Sequence, residues 1–283
     1  YERMLDEAEI DVINICTPHH LHAPMSILAA RKKIDILSEK PMAIKIDEAK
    51  AMIKAADNND VLLMVVKQNR YNVPVKLAMN AISSGKLGRI FMVQCNVMWN
   101  RYDDYYSRSP WRGKKEFEGG ALYTQVSHFI DLMIWWFGDV VEAKTRLSLK
   151  NHRDIDIEDC GHSIVTFDSG VMGTIDWSTC VYNKNFEGSI TIIGEYGTVK
   201  IGGQYLNKID YWDVRAYPIP SKIDFSDKPN TYSNYQGTSS NHDKVIKDVL
   251  LKLYSKDNTV VDGREAIKTI EAIELIYRNA SFL

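Results

Sequence analysis

The chain has 283 residues, which is long enough for one large or two ordinary domains with a sizeable core. Its 45% hydrophobic and 25% charged residues are typical of a globular protein, and its net charge of -2 gives no electrostatic reason to expect a nucleic-acid or membrane partner. The four cysteines are far apart and form no Cys-x-x-Cys pair, so the sequence indicates neither zinc nor thiol redox chemistry, and a reduced, cytoplasmic setting is expected. The apolar stretches are too short to span a bilayer.

Apolar runs alternate with helix-like stretches in the first quarter of the chain. Residues 1–9 are typical of the charged end of a helix that leads into a strand. The predicted strands are Ile10–Ile15, Ile34–Leu37 and Val61–Val66. A helix is predicted over Leu21–Lys32, and a second one has Asp47 as its N-cap and ends near Asn59. This alternation predicts right-handed βαβ units and a parallel sheet.

The beginning of a nucleotide-binding domain is missing from this pattern. The chain starts at Tyr1, its first glycine is Gly85, and it contains no Gly-x-Gly-x-x-Gly motif. Dinucleotide-binding α/β domains normally open with a glycine-rich turn. We therefore expect residues 1–69 to form a Rossmann domain that is incomplete at its N-terminus and lacks the first strand, the glycine-rich turn and the second strand.

The pattern changes after the first predicted domain. Asn72 begins a predicted helix that Gly85 closes, and a long strand is predicted over Arg89–Asn100. Turn signals separate several later segments, which favours an antiparallel sheet. The shorter predicted strands are 163–167, 171–179, 189–193, 198–201 and 208–214, and the final helices are 240–254 and 263–279.

This second region, residues 70–283, is predicted to be an α+β domain, so the whole chain is of the α/β class. Its large, mostly antiparallel sheet is expected to be covered by helices on one face and open on the other, where another subunit would hide it. Residues 216–239 are polar and irregular and are predicted to form an active-site or interface loop.

Lys40 is the most informative single residue. It belongs to the run Ser38-Glu39-Lys40-Pro41 at the end of the second predicted strand, where parallel sheets deliver side chains into a ligand crevice. Pro41 disfavours a helical conformation at Lys40, so the backbone sets the direction of the lysine. Alternation along an extended chain predicts that Glu39 and Lys40 point to opposite sides. The ordinary alternative is a solvated turn lysine.

The loop after the first strand contains Thr17-Pro18-His19-His20-Leu21-His22. Three histidines within four residues suggest a metal site. However, side chains at the start of a helix point in different directions, and no distant Cys/His cluster in the sequence completes a coordination shell. A nucleotide cofactor lies where a parallel strand ends and a helix begins, so a nucleotide-facing role is favoured over metal binding.

A second informative stretch runs from Gly119 to Gly138. Its predicted helix is apolar nearly all round, which indicates a buried helix. Gln125, His128 and Asp131 are spaced so that neighbours in the set share a face, and polar groups in a buried helix need a partner or a purpose. A structurally satisfied histidine is the ordinary interpretation. A histidine with a carboxylate one turn away and a directed lysine elsewhere is a better acid-base candidate than either alone.

Two segments combine arginine with aromatic residues. Gln68-Asn69-Arg70-Tyr71 lies at the predicted domain boundary, and Tyr105-Tyr106-Ser107-Arg108-Ser109-Pro110-Trp111-Arg112 follows the long strand. Guanidinium groups suit carboxylates and phosphates, and aromatic rings stack on sugars or bases, so both segments are predicted to contribute to a ligand site. The ordinary alternative is a surface loop. At least one arginine is expected to face the cleft, and the candidates are Arg70, Arg101 and Arg112.

These motifs occur in a characteristic order, namely Thr17-Pro18 to His22, Glu39-Lys40-Pro41, Gly85-Lys86-Leu87-Gly88, Trp111-Arg112, and Gly119-Gly120 to His128 and Asp131. In this order they make nearly the whole chain resemble the Gfo/Idh/MocA family of nicotinamide-dependent sugar oxidoreductases. Residues 121–131 are most similar to the branch that oxidises UDP-N-acetylglucosaminuronic acid (a UDP-N-acetyl-2-amino-2-deoxyglucuronate) at C3 in bacterial surface-polysaccharide synthesis. The resemblance implies a Rossmann domain followed by an open-sheet domain, a homodimer or homotetramer, and Lys40 and His128 as the catalytic pair.

The resemblance also implies NAD as the cofactor. NADP stays open, because the residue that reads the ribose 2′ position would lie in the missing segment. The expected cofactor-binding residues are Thr17, Pro18, His22, Glu39, Lys40, Gln68, Trp111 and Arg112. The expected substrate-binding residues are Asn69, Arg70, Tyr106, Gln125 and His128. No metal ligand is expected.

The predicted reaction is hydride transfer from a sugar carbon to nicotinamide. His128 is the expected base and Lys40 orients the hydroxyl, or the two roles are exchanged. Thr124 stands where many relatives carry an aspartate, which favours the uronate-oxidising branch. The alternatives are another sugar or inositol dehydrogenase of the same family and a non-catalytic protein that binds a dinucleotide or sugar nucleotide.

Overall fold

The computed structural model describes residues 1–221, 229–231, 236–255 and 260–283. Its first elements are α1 (Glu2–Glu7), β1 (Val12–Ile15), α2 (His19–Arg31), β2 (Asp35–Ser38), α3 (Ile46–Asn59) and β3 (Leu63–Val65). The strands form a parallel sheet in the order β1-β2-β3, with Ile13 beside Ile36 and Ile36 beside Leu63. The βαβ arrangement predicted from the sequence is therefore confirmed.

The start of α3 differs from the sequence prediction. The helix begins at Ile46 and its N-cap is Lys45, so Asp47 lies in the first turn and the prediction of an Asp47 cap is wrong. The backbone N–H of Ile46 donates to the carboxylate of Glu274, which is 2.8 Å away and comes from a helix near the C-terminus. A distant side chain thus accepts one of the unpaired N–H groups of the first turn, which no local pattern indicates.

A large mixed sheet dominates the rest of the chain. After β3 come a 3-10 turn (Gln68–Tyr71), α4 (Val73–Ser83), β4 (Ile90–Met98), α5 (Asp103–Ser107), α6 (Lys115–Glu118), a π-helical turn (Leu122–Val126) and α7 (Ser127–Phe137). Then follow β5 (Val140–Ser148), β6 (Cys160–Phe167), β7 (Met172–Ser178), β8 (Glu187–Gly194), β9 (Gly197–Gly202), β10 (Lys208–Val214), β11 (Pro229–Thr231), β12 (Gln236–Ser239), α8 (His242–Ser255), α9 (Gly263–Arg278) and β13 (Ala280–Phe282).

The large sheet has the order β10-β9-β8-β4-β7-β6-β5-β13, and β11 pairs separately with β12. The β4–β7 and β5–β13 pairs are parallel and the other neighbours are antiparallel, so the mostly antiparallel sheet is confirmed. Strands β5 and β13 lie outside the predicted set. In β5 the outward positions carry Glu142, Lys144 and Arg146. Because these charged residues interrupt the apolar run, the strand is not recognised from apolar content.

The two faces of the large sheet differ. Helix α7 packs on one face, with the rings of Phe137 and Phe167 centred 5.7 Å apart, and α9 contacts β5. On the other face Val141, Ile164 and Met172 are 57%, 61% and 60% exposed. Among the described residues the sheet is therefore open on one side, as the sequence predicted.

One continuous core of buried apolar residues runs from β1 and β2 through α7 to the large sheet and α9. The 3-10 turn after β3 lies at the predicted boundary between the two domains, near residue 70. The division into two domains stays a prediction, because the apolar core continues across this boundary. Gly85, with φ of 68°, closes α4 beyond its C-cap Ser84, as predicted. Within the described ranges, no helix combines the length and apolarity that a membrane span requires.

Candidate active site

A cavity of about 250 Å³ lies where the three parallel strands end. Thr17 follows β1, Lys40 follows β2 and Gln68 follows β3, and all three line the cavity. The opposite wall is formed by the segment after β4 and by the π-helical turn with the start of α7. The carboxyl ends of parallel strands are where open α/β sheets bind ligands, so this cavity is the candidate active site.

Lys40 enters the cavity with a fixed direction. Its Nζ donates to the backbone carbonyl of Thr124, 2.7 Å away, in the π-helical turn. Burial lowers the pKa of the Lys40 ammonium to about 8; the charges of Lys67 and Arg101 act in the same direction, while Glu39 opposes them. The hydrogen bond to Thr124 and the partial burial of Lys40 disfavour the interpretation as a solvated turn lysine.

Glu39 lines the same cavity as Lys40, so the prediction that their side chains point to opposite sides is wrong. The backbone N–H of Lys40 donates to Glu39 Oε2 at 3.1 Å, which turns the carboxylate back toward its neighbour. Glu39 Oε1 lies 3.2 Å from His242 Nε2. Burial raises the pKa of Glu39, but the contacts with His242 and Lys40 outweigh it and the net shift is downward. The extended alternation fails because the chain bends at Lys40.

His128 lies in the first turn of α7 and lines the cavity from the opposite wall. Its side chain is buried, and no described residue forms a hydrogen bond with its ring. Burial, followed by the charges of Lys40 and Lys67, lowers its pKa well below the usual value, whereas Asp131 opposes this shift. The lowered pKa favours the neutral imidazole, and the ring has no hydrogen-bond partner among the described residues, which disfavours the structurally satisfied histidine considered above.

A π-helical turn precedes α7, where a regular helix was the sequence expectation. The turn spans Leu122–Val126 and is entered through Gly120, whose φ is 135°. An added Cβ at Gly120 would lie 2.1 Å from the hydroxyl of Tyr277, so only glycine fits. Single π turns are frequent at functional sites because they shift the residues that follow. Here the turn presents the Thr124 carbonyl to Lys40 and directs Gln125 into the cavity.

The predicted set Gln125, His128 and Asp131 is divided by the structure. Gln125 and His128 line the cavity, whereas Asp131 points behind it. There Asp131 accepts a bidentate pair of hydrogen bonds from Arg70, at 2.8 and 2.9 Å, and an ion pair from Lys67 at 3.0 Å. Arg70 also pairs with Glu265. The guanidinium predicted to bind substrate is therefore used in a buried ion-pair cluster and does not line the cavity.

The histidines after β1 contact backbone carbonyl groups. The two ring nitrogens of His22 lie 2.7 Å from the Pro41 carbonyl and 2.8 Å from the Thr17 carbonyl, so His22 ties together the loops after β1 and β2. His19 Nδ1 lies 3.2 Å from the Glu118 carbonyl, and its ring packs on Trp111 with centroids 4.7 Å apart. Thr17, His19 and His22 line the cavity, which agrees with a nucleotide-facing loop more than with a metal cluster.

The segment after β4 provides aromatic and guanidinium groups. Arg101 donates through Nε and Nη2 to Gln125 Oε1, at 3.1 and 2.6 Å, and Gln125 Nε2 donates to the hydroxyl of Tyr105 at 2.9 Å. The guanidinium of Arg112 lies 4.3 Å above the ring of Tyr105 and 5.4 Å from that of Trp111. These residues form one polar and aromatic wall of the cavity.

Four of the predicted ligand-binding residues are not among those that line the cavity, namely Pro18, Asn69, Arg70 and Tyr106. Tyr106 is buried with its hydroxyl 3.5 Å from Thr179, and its neighbour Tyr105 occupies the cavity wall instead. The ligand contacts of these four residues stay predictions. The cavity also contains Trp99 and His242, which sequence reasoning missed. His242 lies near the start of the predicted helix 240–254, just beyond the irregular loop predicted over 216–239, and this closeness would have been the signal for it.

Part of that irregular loop contributes to the cavity. Asn230, Gly237 and Thr238 line it, which supports the prediction of an active-site loop. Residues 222–228 and 232–235 of the predicted loop lie outside the described residues.

The cavity also fits a nicotinamide cofactor. Gln68 Nε2 donates to the hydroxyl of Thr238 at 3.3 Å, but Gln68 Oε1 is buried without a hydrogen-bond partner in the described part of the chain. An unpaired buried carbonyl oxygen is unfavourable, so a ligand with an N–H donor is expected there. The carboxamide of nicotinamide has such a donor.

Comparisons with known proteins agree with this geometry. A family model described as the GFO/IDH/MocA C-terminal domain matches residues 75–200, and one described as an oxidoreductase family with an NAD-binding Rossmann fold matches residues 1–67. The structure is similar to the WlbA dehydrogenase from Bordetella pertussis, solved with NADH and UDP-GlcNAcA, at a TM-score of 0.86 and 36% identity over 98% of this chain and 78% of that one.

Two further relatives extend the comparison. The WlbA dehydrogenase from Chromobacterium violaceum, solved with the same two ligands, gives a TM-score of 0.85 and 33% identity over 98% of this chain and 77% of that one. Levoglucosan dehydrogenase from Pseudarthrobacter phenanthrenivorans is 27% identical over 222 residues, which are 70% of this chain and 57% of that protein. The chain thus spans little more than half the length of that relative. The matches confirm the predicted resemblance, and the chain belongs to the GFO/IDH/MocA family of oxidoreductases with an NAD-binding Rossmann fold.

Proposed function

We propose that the protein is an NAD-dependent sugar oxidoreductase that oxidises the C3 hydroxyl of a UDP-N-acetylaminosugar uronic acid, a step of surface-polysaccharide synthesis. The observation that carries this proposal is that Lys40 and His128 line one cavity at the ends of the parallel strands. Lys40 provides an ammonium group whose direction is fixed by a hydrogen bond, and His128 provides a buried imidazole that forms no hydrogen bond with a described residue. Oxidation of an alcohol requires a base for the hydroxyl proton and a donor that stabilises the oxygen, which these two groups supply.

The proton is transferred between the chain's own residues and the substrate. His128, neutral because burial and nearby cations lower its pKa, accepts the hydroxyl proton on a ring nitrogen. The Lys40 ammonium donates a hydrogen bond to the same hydroxyl oxygen and stabilises the negative charge that develops on it. Because the pKa of Lys40 is about 8, the exchange of roles, with neutral Lys40 as the base, is the alternative.

When bound, the nicotinamide ring accepts the hydride that leaves the sugar carbon. Thr17, Glu39 and Gln68, at the ends of the three parallel strands, are the residues proposed to hold the cofactor. Gln125 and His128 on the opposite wall are the residues proposed to hold the sugar. The reacting carbon would then lie between the two walls, within reach of Lys40.

The charge of the cavity favours an acidic substrate. Arg101, Arg112 and Lys40 line it with positive charge, against the carboxylate of Glu39. Arginine binds carboxylates and phosphates through paired N–H donors, and both groups occur in a UDP-sugar acid. The rings of Tyr105 and Trp111 provide a surface on which a sugar or base can stack. The likeness to two WlbA dehydrogenases solved with UDP-GlcNAcA supports the same substrate class.

A substrate panel with NAD tests the proposal. The purified protein is assayed for NADH formation with UDP-N-acetylglucosaminuronic acid and, as the matched control, with UDP-N-acetylglucosamine, which lacks the carboxylate. We expect kcat/KM to be at least about tenfold higher for the uronate, because its carboxylate can accept charge-assisted hydrogen bonds from an arginine of the cavity and the control substrate has no such group. Equal or lower activity with the uronate would contradict the proposal.

A different sugar is the second candidate, and the match to levoglucosan dehydrogenase favours it. If the substrate is an uncharged sugar, levoglucosan or an inositol is turned over and Arg112→Gln changes its KM by less than about twofold. For an acidic substrate the same replacement raises KM. If the protein only binds a dinucleotide or sugar nucleotide, calorimetry shows binding and no compound of the panel is turned over.

We also propose that the open face of the large sheet pairs with a second copy of this chain. The apolar side chains of Ile164 and Met172 are exposed in the middle of the sheet, next to the charged residues of β5. Such a face is hidden when two sheets pack together. A homodimer or homotetramer in native mass spectrometry supports this arrangement, and Ile164→Lys is expected to dissociate it.

A further inference from the structure

Two cysteines that are far apart in the sequence lie together where β6 begins and β7 ends. The antiparallel pairing of Cys160 with Ser178 brings Cys180, two residues beyond, close to Cys160. The connection between β5 and β6 adds His152 and Asp159 beside them. No metal ligand is expected from the spacing of these residues along the chain, but the strand pairing collects four possible ligands in one place.

Three of these side chains already have the spacing of a ligand set. His152, Asp159 and Cys180 each offer one ligand atom, and these atoms all lie within 4.8 Å of one another. His152 and Asp159 are buried, whereas Cys180 is partly exposed, which gives an ion a route from solvent. None of the three, nor Cys160, lines the candidate active site, so this group is separate from it.

The position of protons on His152 leaves a gap in the hydrogen bonding. Its Nε2 lies 2.7 Å from the backbone carbonyl of Arg101, which can only accept, so Nε2 carries a proton and donates it. In a neutral imidazole Nδ1 then has a lone pair, and it faces Asp159 Oδ2 at 3.2 Å. Two acceptors face each other in this way only if a second proton or a metal ion lies between them.

The distance between Nδ1 and Oδ2 favours the metal ion. A charge-assisted hydrogen bond between such groups spans about 2.7–2.9 Å. The exposed pair of His162 and Asp176 shows how close these groups approach in this chain, with Nδ1 and Oδ1 2.6 Å apart. Two atoms that are each bonded at about 2.0–2.1 Å to one tetrahedral zinc are about 3.3 Å apart. The 3.2 Å between His152 and Asp159 fits the shared metal better than the ion pair.

The spacing of the two sulfur atoms fits the same metal. Two thiolates bonded at about 2.3 Å to a tetrahedral zinc are about 3.8 Å apart, and the Sγ atoms of Cys160 and Cys180 are separated by 3.7 Å. Cys160 Sγ also lies 3.2 Å from Ser178 Oγ, and Cys180 Sγ lies 3.7 Å from the backbone carbonyl of Asp159. Thiols are weak donors and acceptors, so these contacts leave both sulfur atoms available to a stronger partner.

The groups around the ligands are arranged as in protein metal sites. A metal-bound histidine usually donates its other ring N–H to a carboxylate or backbone carbonyl, as His152 does to Arg101. A ligating carboxylate is usually hydrogen-bonded as well. The Asp159 carboxylate accepts from the backbone N–H groups of Lys150, Asn151 and His152, at 2.8, 2.8 and 3.1 Å.

We propose that His152 Nδ1, Asp159 Oδ2, Cys160 Sγ and Cys180 Sγ form a tetrahedral zinc site outside the active site. Thiolate and imidazole ligands with a closed shell are typical of structural zinc, and binding replaces the thiol protons with the metal. The site fixes the main chain of Arg101, whose side chain lines the cavity. The proposal does not depend on the proposed function, because the metal is measured without substrate.

Metal analysis tests the site directly. The protein is purified under reducing conditions, without a metal-affinity tag or chelator, and its zinc is measured by mass spectrometry. We expect about one zinc per chain in wild type and about 0.1 or less in Cys180→Ser and His152→Asn. His162→Asn is the matched control, because it removes a histidine from an exposed His–Asp pair, and should keep the zinc of wild type. Equal zinc in Cys180→Ser and wild type, or none in wild type after zinc is added back, overturns the proposal.

Cobalt gives a spectroscopic readout that needs only the wild-type fold. Cobalt is titrated into the metal-free protein, and a thiolate-to-cobalt charge-transfer band that saturates at about one equivalent is expected. Cys160→Ser and Cys180→Ser should weaken this band and lower the affinity at least about tenfold. Absence of the band in folded wild type contradicts the proposal. A disulfide between Cys160 and Cys180 in the reduced preparation also contradicts it, because bonded sulfur atoms are not thiolate ligands.

Discussion

The Nζ of Lys40 donates a 2.7 Å hydrogen bond to the backbone carbonyl of Thr124. This contact joins the loop after β2 to the π-helical turn that leads into α7, and α7 carries His128. The position of a backbone carbonyl does not depend on a side-chain rotamer, so this acceptor holds the Lys40 ammonium at a defined position. The two candidate catalytic groups are thus held relative to each other by one hydrogen bond across the cavity.

Replacement of Lys40 by methionine tests its role in the reaction. We expect kcat to fall about 100- to 1000-fold while KM changes only a few-fold, because the ammonium acts on the negative charge that develops as the hydroxyl is oxidised. Steady-state kinetics with NAD and the best sugar of the panel measure the two constants. Lys54→Met, which removes an exposed lysine of α3, is the control and should keep wild-type turnover. Unchanged kcat in Lys40→Met would remove Lys40 from the mechanism.

The alkaline limb of the pH profile reports the same residue. If Lys40 must be protonated to stabilise the oxygen, kcat/KM falls above about pH 8, because burial lowers the pKa of Lys40 to about 8. If neutral Lys40 is the base instead, activity rises through the same pH and stays high. The profile of Lys40→Met, which lacks the limb in either case, identifies the residue responsible.

His128→Asn tests the base. Asparagine is close to histidine in size but does not accept a proton near neutral pH, so we expect kcat to fall about 100- to 10,000-fold. His162→Asn is the matched control, because His162 is exposed on β6 and pairs only with Asp176 in the described structure. A loss of activity of the same size in both variants would show that the effect does not come from the cavity.

The sequence predicted features that depend on local patterns. The ends of the parallel strands follow from the alternation of apolar runs with helix-like stretches, so the position of Lys40 after β2 could be predicted. The apolar residues around His128 in the sequence indicated that it is buried. The start of α3 could not be predicted from the sequence, because the N–H of its first residue, Ile46, donates to the carboxylate of Glu274, far away in the chain. The pairing of Arg70 with Asp131 is likewise a contact between distant segments. Arg70, which the sequence suggested as a ligand-binding residue, therefore forms an ion pair within the fold.

The choice between neighbouring residues was the other point that the sequence did not determine. Tyr105 and Tyr106 are adjacent in α5 and have the same side chain, yet only Tyr105 lines the cavity. Successive residues of a helix point about 100° apart, so the packing of the short α5 decides which of the two tyrosines lines the cavity. The local sequence of α5 does not indicate this packing. The π-helical turn before α7 is similar, since its extra residue shifts Gln125 relative to a regular helix.

Gly120 is predicted to be sensitive to replacement. Gly120→Ala places a methyl group 2.1 Å from the Tyr277 hydroxyl and also has an unfavourable φ of 135°, so we expect a loss of about 3 kcal/mol or more in the free energy of unfolding. Gly170→Ala is the control with a positive φ of 83° and no atom within 4 Å, and its expected loss is about 1 kcal/mol. Urea unfolding measures both. Equal losses would mean that Tyr277 moves aside without cost.

Glu158 is predicted to make stability depend on pH. It is buried, and Tyr277 donates a 2.6 Å hydrogen bond to its Oε1. Burial raises its pKa to about 7, although the hydrogen bond from Tyr277 opposes this. In the unfolded chain a glutamate has a pKa of about 4.3. Between these two values the folded protein keeps a proton that the unfolded chain has released, so the free energy of unfolding falls as pH rises.

The expected contribution of Glu158 is fully present below about pH 4.3 and is lost as pH rises through about 7, by about 4 kcal/mol in total. Glu158→Gln stays uncharged and can still accept the hydrogen bond from Tyr277, so its stability relative to wild type should increase by about 3 kcal/mol between about pH 5 and about pH 8. Urea unfolding at the two pH values measures the difference, and Glu116→Gln, at an exposed position of α6, is the control. Parallel changes in Glu158→Gln and wild type would show that Glu158 is ionised in the folded protein across this range.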